Sequence, residues 1–431
     1  MRLCLCFLVA SIGVAWVRSA LADPMLATDW NAEVLALAEA EDGFLTLKGL
    51  RTATMLHLAM HDVLQSKAGR YATYADTQAP TAAVSVTRAA NTAAYTVAAD
   101  QYPNEKDRLS QLHARWAKAL QTENAAASDE FGTRVAMALL ELRAGDGWDA
   151  EAEYRWHPMA PGVYAEFSEH SGTPEGFIFG AGWANARGFA LNAPDQFRSP
   201  PPPAITSDAY TAAYNEVKAF GRFQSMDRTP EQTHIALWWK DFVDNSHNRL
   251  ARQLIAAEQL PLAEAVRLLA LLNMAVFDAY VASFDNKFHY NHWRPFTAIR
   301  WADNDGNAAT VVDPTWTNTH RHTYAFPSYP SAHGTACAAA MTALEAVFGN
   351  DYAFTMLTPT VDIAGPFSGK LAMEPATREF ARFEDAASEC ALSRVYLGIH
   401  FRYDSEAGEA LGRDVGRNVL VRLLVPTSKR H

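Results

Sequence analysis

An arginine and a histidine six positions apart, with an aspartate four positions on, mark the run SRVYLGIHFRYD as Arg394, His400 and Asp404. A fixed cation beside a histidine that a carboxylate can orient binds an oxyanion and bonds its central atom. A second run, KFHYNHWRP, places Lys287 seven positions before Arg294. A compact ammonium and a planar guanidinium together suit a tetrahedral anion. A third, PSAH, places Ser331, Ala332 and His333 where a helix begins, so free backbone amides point at any anion held there. His333 in the first turn is then placed to pass a proton to or from a ligand oxygen. Alone, the Lys287–Arg294 run also reads as a solvated surface pair and PSAH as an ordinary capped helix with a surface histidine; the Ser393–Asp404 run, with four fixed residues, is the sharpest. Together they describe three cations, two histidines and a helix N-terminus around one small anion.

Helices must position these groups. Periodicity predicts helices over 50–65, 83–99, 106–121 and from Asp129 to a stop at Gly145. His57 and His61, four apart in the first of these, read as packing histidines, because no third ligand accompanies them. Residues 146–206 lose periodicity and end in QFRSPPPP; their Tyr154, Trp156, Phe167, Phe177, Phe179 and Trp183 argue for an ordered connection that covers a surface. Further helices are expected over 208–220 and 231–258, the latter opened by the capping box Thr229-Pro230-Glu231-Gln232. The stretch 262–283 carries only Glu264, Arg267 and Asp278 as charges and reads as a central helix that Lys287 follows. Arg294 precedes Pro295, so the chain turns between Lys287 and Arg294 and a new helix starts at the proline. An alanine-rich helix over 334–348 and a last one over 405–424, capped by Asp404, complete an all-α chain without a convincing strand pattern. The expected organisation is 1–22 as a signal peptide, 23–206 as an N-terminal helical region and 207–431 as a C-terminal bundle carrying the oxyanion site.

The leader has Arg2, an apolar run over 3–17 and the small-residue site Ala20-Leu21-Ala22, which points to secretion or export to a periplasm. Its removal takes the formal charge from −11 to −13, and a surface so acidic argues against nucleic-acid binding and against docking on anionic lipid. The apolar run 268–277 is too short to cross a bilayer, so no stable membrane insertion is expected after the leader is removed. Cys4 and Cys6 leave with the leader; Cys337 and Cys390 remain, either bonded or as plain packing residues. The oligomeric state is open, a homodimer included.

The three blocks, in this order, resemble the signature shared by vanadium-dependent haloperoxidases and the type 2 phosphatidic acid phosphatase and bacterial acid phosphatase superfamily. That signature reads Lys-x6-Arg-Pro, then Pro-Ser-Gly-His, then Ser-Arg-x5-His-x3-Asp; here Ala332 replaces its glycine. TDWN, PGVY, QFRSPPPPAITSDAYTAAYNEVKAFG and WRPFTAIR extend the similarity to the bacterial haloperoxidase-like branch. The resemblance implies a large helical-bundle fold of the chloroperoxidase kind and a vanadate cofactor. Lys287, Arg294 and Arg394 would neutralise its oxygens, with Ser331 and the Ala332 amide adding hydrogen bonds. His400 would bond vanadium through a neutral ring nitrogen, and His333 would be the acid–base toward hydrogen peroxide. Asp404 would orient His400 or cap the following helix. Phe326 resembles the phenylalanine of chloroperoxidase-type sites, and His292, inside the Lys287–Arg294 block, would line the halide pocket with it. The implied reaction oxidises halide with peroxide to hypohalous acid, which halogenates a small organic acceptor.

Phosphate has the shape of vanadate, so the same residues suit an acid phosphatase, with His400 as nucleophile and His333 protonating the leaving alkoxide. The long interval between His333 and Ser393 and the large N-terminal half favour the haloperoxidase. A non-catalytic oxyanion-binding protein, with Ala332 as the damage, is a third reading. Zinc held by His289, His292, His320 and His322 is the weakest, since no cysteine or glutamate pattern accompanies them.

Overall fold

The computed structural model describes residues 23–75, 78–165 and 176–427; the leader and Phe167 lie outside them. Five helices form the first half: α1 (Met25–Asp42), α2 (Lys48–Ala68), α3 (Val86–Gln101), α4 (Lys106–Ala119) and α5 (Ala125–Leu142). After the connection come α6 (Asp208–Phe220), α7 (Pro230–Trp238), α8 (Val243–Ala257), α9 (Leu262–Tyr290), α10 (Pro295–Arg300) and α11 (Ala332–Phe348). Four short strands follow, β1 (Phe354–Leu357), β2 (Thr360–Asp362), β3 (Lys370–Ala372) and β4 (Thr377–Phe380), then α12 (Phe383–Leu397) and α13 (Arg402–Arg422). The chain is all-α in class.

At 29 residues α9 is roughly 44 Å long and buried on nearly every side. It is long and apolar enough to span a bilayer, yet 94% of its most apolar window is covered by protein. The neighbours that cover it are α1, α2, α8, α11 and α13. Asp278, its one deeply buried acid, accepts the amides of Phe189, Ala190 and Leu191, and Asn286 accepts that of Ser199. These bonds lay the 176–206 part of the connection along the central helix. His57 and His61 are buried and bonded to the carbonyls of Ala53 and Ala72, as packing histidines.

Three expectations need correction. The helix expected over 231–258 is two, α7 and α8, broken at 239–242, where Phe242 adopts an extended conformation. The central helix runs on to Tyr290, so Lys287 sits on its last turn instead of after it; Asn291, at φ 48°, then ends the helix. The strands were not anticipated. β1 pairs antiparallel with β4 from Phe354↔Phe380 to Leu357↔Thr377, and β2 with β3 from Thr360↔Ala372 to Asp362↔Lys370. Each is three or four residues long, too short for alternation to register.

The two helix starts that matter lie side by side. α13 turns Gly408 and Gly412 toward α11, where a Cβ would meet the carbonyl oxygens of Ser331 at 2.5 Å and Thr335 at 2.1 Å. Only glycine permits that approach. Cys337 and Cys390 are bonded, which ties α11 to α12 and resolves the open pairing.

Candidate active site

Ser331 caps α11 as its type predicts: its Oγ accepts the Gly334 amide at 3.2 Å, leaving its own O–H to donate. Its amide donates to the Asp404 carbonyl at 2.9 Å, so the PSAH turn is pinned to the start of α13. Gly398, at φ 80°, ends α12 in the left-handed conformation and swings the chain so that Arg394 and His400 face one space.

Asp404 sits on the first turn of α13 and does both jobs proposed for it. Its Oδ2 accepts the Phe401 amide at 3.1 Å, capping the helix, and lies 3.0 Å from His400 Nδ1. The Ser328 hydroxyl donates to the same oxygen. With Nδ1–H directed at a carboxylate, Nε2 keeps its lone pair. Burial, then Arg294, Lys287, Arg394 and His333, push the His400 imidazolium far below its ordinary range. The ring is therefore neutral and able to act as a ligand. Burial raises the Asp404 carboxyl to about 7 against the opposing pull of Ser328 and Lys287.

The three cations are buried and differently committed. Arg394 donates through Nε to Ser393 Oγ at 3.0 Å and through Nη2 to the Trp239 carbonyl at 2.6 Å. Arg294 donates through Nε to the Phe326 carbonyl and through Nη1 to that of Ile399, while its buried Nη2 has no partner. Burial lowers both guanidiniums only to about 10, so they stay charged. Lys287 gives its Nζ hydrogens to the carbonyls of Pro327, Ser328 and Pro330. Burial and Arg294 press its ammonium downward. Three carbonyl acceptors, however, require three N–H donors, which only the charged form has, so Lys287 is a cation.

His333 is held through a hydrogen bond to the Trp239 backbone and kept neutral by burial, Arg394 and His247. Its Nε2 is buried and unpartnered.

A cavity of ≈ 80 Å³ opens among these groups, walled by Ala332, His333, Arg394, His400 and Phe326. Phe44, Phe179, Trp183, Phe242, Tyr280, Phe284 and Tyr324 form its apolar side. Lys287, Arg294, Ser331 and Asp404 do not line it: Lys287 and Arg294 lie 5.1 and 4.5 Å from the Phe326 ring centroid, Ser331 precedes Ala332, and Asp404 holds His400. His292 does not join it: its Nε2 is bonded to the Tyr403 hydroxyl at 2.7 Å, so its expected place in a halide pocket is not borne out. Among the described residues, His289, His292, His320 and His322 form no metal-binding group. Ser328 and the Trp239 carbonyl were missed. Ser328 lies three residues before Ser331, but nothing in its spacing tells it from other loop serines, and a carbonyl carries no side-chain signal.

The donor set fits vanadate. Lys287 and Arg294 act on the Asp404 carboxyl and all three cations act on His400, whose neutral imidazole is oriented from behind, and Arg294 Nη2 and His333 Nε2 are buried without partners. Free amides of the first turn of α11 complete a cradle for oxygen atoms.

Residues 267–425 match the VCPO second helical-bundle domain family. Vanadium chloroperoxidase of Curvularia inaequalis is 25% identical over 287 residues, 53% of this chain and 44% of that protein, so the match spans less than half of the relative. Among solved structures, the first bacterial vanadium-dependent iodoperoxidase aligns with a TM-score of 0.73 and 22% identity, over 95% of this chain and 99% of that one. The holo-type bacterial vanadium-dependent chloroperoxidase aligns at 0.66 and 17%, over 94% and 95%. Over 267–425 the chain thus carries a VCPO-type second helical bundle, and in sequence and fold it resembles the vanadium haloperoxidases.

Proposed function

We propose that this protein is a vanadate-dependent haloperoxidase, which oxidises halide with hydrogen peroxide to hypohalous acid and so halogenates organic acceptors. The observation that carries this reading is the neutral His400, oriented by Asp404 and surrounded by Lys287, Arg294 and Arg394, beside the uncommitted Nε2 of His333. Vanadate, when bound, supplies the centre that activates peroxide and delivers oxygen to halide. His400 Nε2 would hold it, Arg294 Nη2, Arg394 and the Ala332 amide would bond its oxygens, and Lys287 would add charge from behind. His333 would take a proton from the incoming peroxide at Nε2 and return it to a leaving oxygen. The apolar rings beside these groups lower the local dielectric, which strengthens each of these charge interactions.

A phosphatase built on the same cradle would also have to house the alcohol of its ester. The ≈ 80 Å³ cavity, lined largely by aromatic rings, holds a small anion and peroxide more readily than an ester. The halide is not assigned by Phe326 alone. The deciding experiment refills the protein with orthovanadate, measures vanadium per chain, then assays bromide oxidation with peroxide against hydrolysis of a phosphomonoester. Retained vanadium with bromide oxidation is expected; ester turnover inhibited by vanadate, without halide oxidation, would overturn the proposal.

A further inference from the structure

A second chamber of ≈ 600 Å³ adjoins the inner cavity, and the two share three wall residues: Phe44, Lys240 and Phe242. Lys240 lies in the break between α7 and α8 and donates to the carbonyls of Asp362 and Ala364, pinning the β2–β3 loop against the neck. Burial brings its ammonium down to about 7. Two aromatic residues of the chamber hold left-handed backbones that side chains rarely adopt, Phe44 at the shared wall at φ 63° and Phe367 farther out at φ 61°. Such conformations persist where the surroundings enforce them, and they cluster at ligand clamps. The Phe367 ring rests on Gly43, where a Cβ would meet it at 2.7 Å, and the residue is nevertheless 73% exposed. A large ring is thus held at the chamber's outer wall with most of its surface in water.

Most of the chamber's charges are paired. Arg249 pairs with Asp241 and Lys370 with Asp362 at 2.8 Å, leaving Glu39 and the depressed Lys240. An ionic ligand gains little there, whereas an uncharged ring gains contact with Phe44, Phe242 and Phe367. The volume is that of a small-molecule site, while the inner cavity is too small for an organic acceptor beside an anion.

We propose that the outer chamber binds the organic acceptor, an uncharged electron-rich aromatic compound of the phenol class, within reach of the agent made in the inner cavity. This rests on the haloperoxidase reading. Hypohalous acid passing the neck would form a ring carbon–halogen bond; the ring C–H bond and the halogen–oxygen bond break, and the hydroxide leaves with the ring proton as water.

The test uses the full chain and 4-methylphenol. Binding is measured by ligand-observed NMR on vanadate-free protein, for wild type and Phe367→Ala, whose exposed site spares the fold; a melting curve checks that. The variant should weaken binding roughly two- to tenfold, the size of one aromatic contact. During turnover with bromide, excess taurine should not divert bromine from 4-methylphenol in the wild type, and should divert it in the variant. Equal binding in both proteins, or diversion by taurine in the wild type, would overturn the proposal. Phenol binding that Phe367→Ala weakens, in a protein that oxidises no halide, would keep the chamber as a phenol site and reject the reaction reading instead.

Discussion

Ala332→Gly restores the residue that the resembling signature carries, and the structure says what should follow. Ala332 is the first residue of α11 and is buried against Phe284 and Phe326. Removing its methyl group gives up about 0.8 kcal/mol of apolar burial. A glycine in a helix costs up to about 1 kcal/mol more, less in a first turn. The variant should therefore be destabilised by about 1–2 kcal/mol. Its vanadate affinity should change less than roughly threefold, because the amide is present in both proteins and the Ser331 cap fixes the helix start. Chemical denaturation and equilibrium dialysis against orthovanadate measure the two quantities. A tenfold gain in affinity would show that the methyl crowds the anion, and would refute the argument that it belongs to the aromatic wall. A loss of stability well under half a kcal/mol would refute the packing assignment.

Four other variants probe the site and its electrostatics. His400→Ala should abolish vanadium retention and turnover, whereas His333→Ala should retain vanadium and lose halide oxidation; metal analysis beside a bromide assay separates them, and lost retention in His333→Ala would contradict its acid–base role. Ser328→Ala removes the chief hydrogen bond holding the Asp404 carboxyl down, so that carboxyl should rise further and the pH at which vanadium is retained should move upward. His247, buried and pushed to about 3, is neutral in the fold but protonates below about 6.5 when unfolded. The unfolded chain then binds the extra proton, so this histidine's contribution is present at neutral pH and lost as pH falls from 6.5 toward 3. His247→Leu should accordingly gain on the wild type by about 1.4 kcal/mol per unit below pH 6.5, read from denaturation at pH 7 and pH 5.5.

What could be read in the sequence was whatever side chains at short spacing encode. Thr229 and Gln232 announce the capping box at the start of α7, and the structure has it. Pro295 announces α10, Gly398 ends α12, and the Ser331 cap is where its type requires. The break after Trp238 was not legible, because 239–242 contains neither glycine nor proline. Its cause is tertiary: the Trp239 carbonyl, which a continuous helix would spend on an amide four residues ahead, accepts Arg394 and holds His333. Two distant helices thereby override a local preference. The bonding of Lys287 was not legible for a similar reason. Its partners are carbonyls of a loop forty residues away, and neither their direction nor their number leaves a trace in residue types.

The same distinction explains why the motif alone left halide oxidation and ester hydrolysis open. The groups proposed to hold a tetrahedral anion come from α9, the turn after it, the start of α11, α12 and the turn before α13, and they would serve phosphate and vanadate alike. The groups that decide what else enters lie elsewhere. Phe44 comes from the α1–α2 turn, Phe179 and Trp183 from the long connection, and Lys240 and Phe242 from the α7–α8 break. Each lies outside the three blocks: Phe179 and Trp183 pack on Phe284 of α9, Phe44 packs on Phe242, and Lys240 is bonded to the carbonyls of Asp362 and Ala364. A chain that kept the blocks but lost these walls would bind the anion and expose it to water. On the proposed reading the first half of the chain bears on the chemistry, because Phe44, Phe179 and Trp183 shape the apolar side of the cavity.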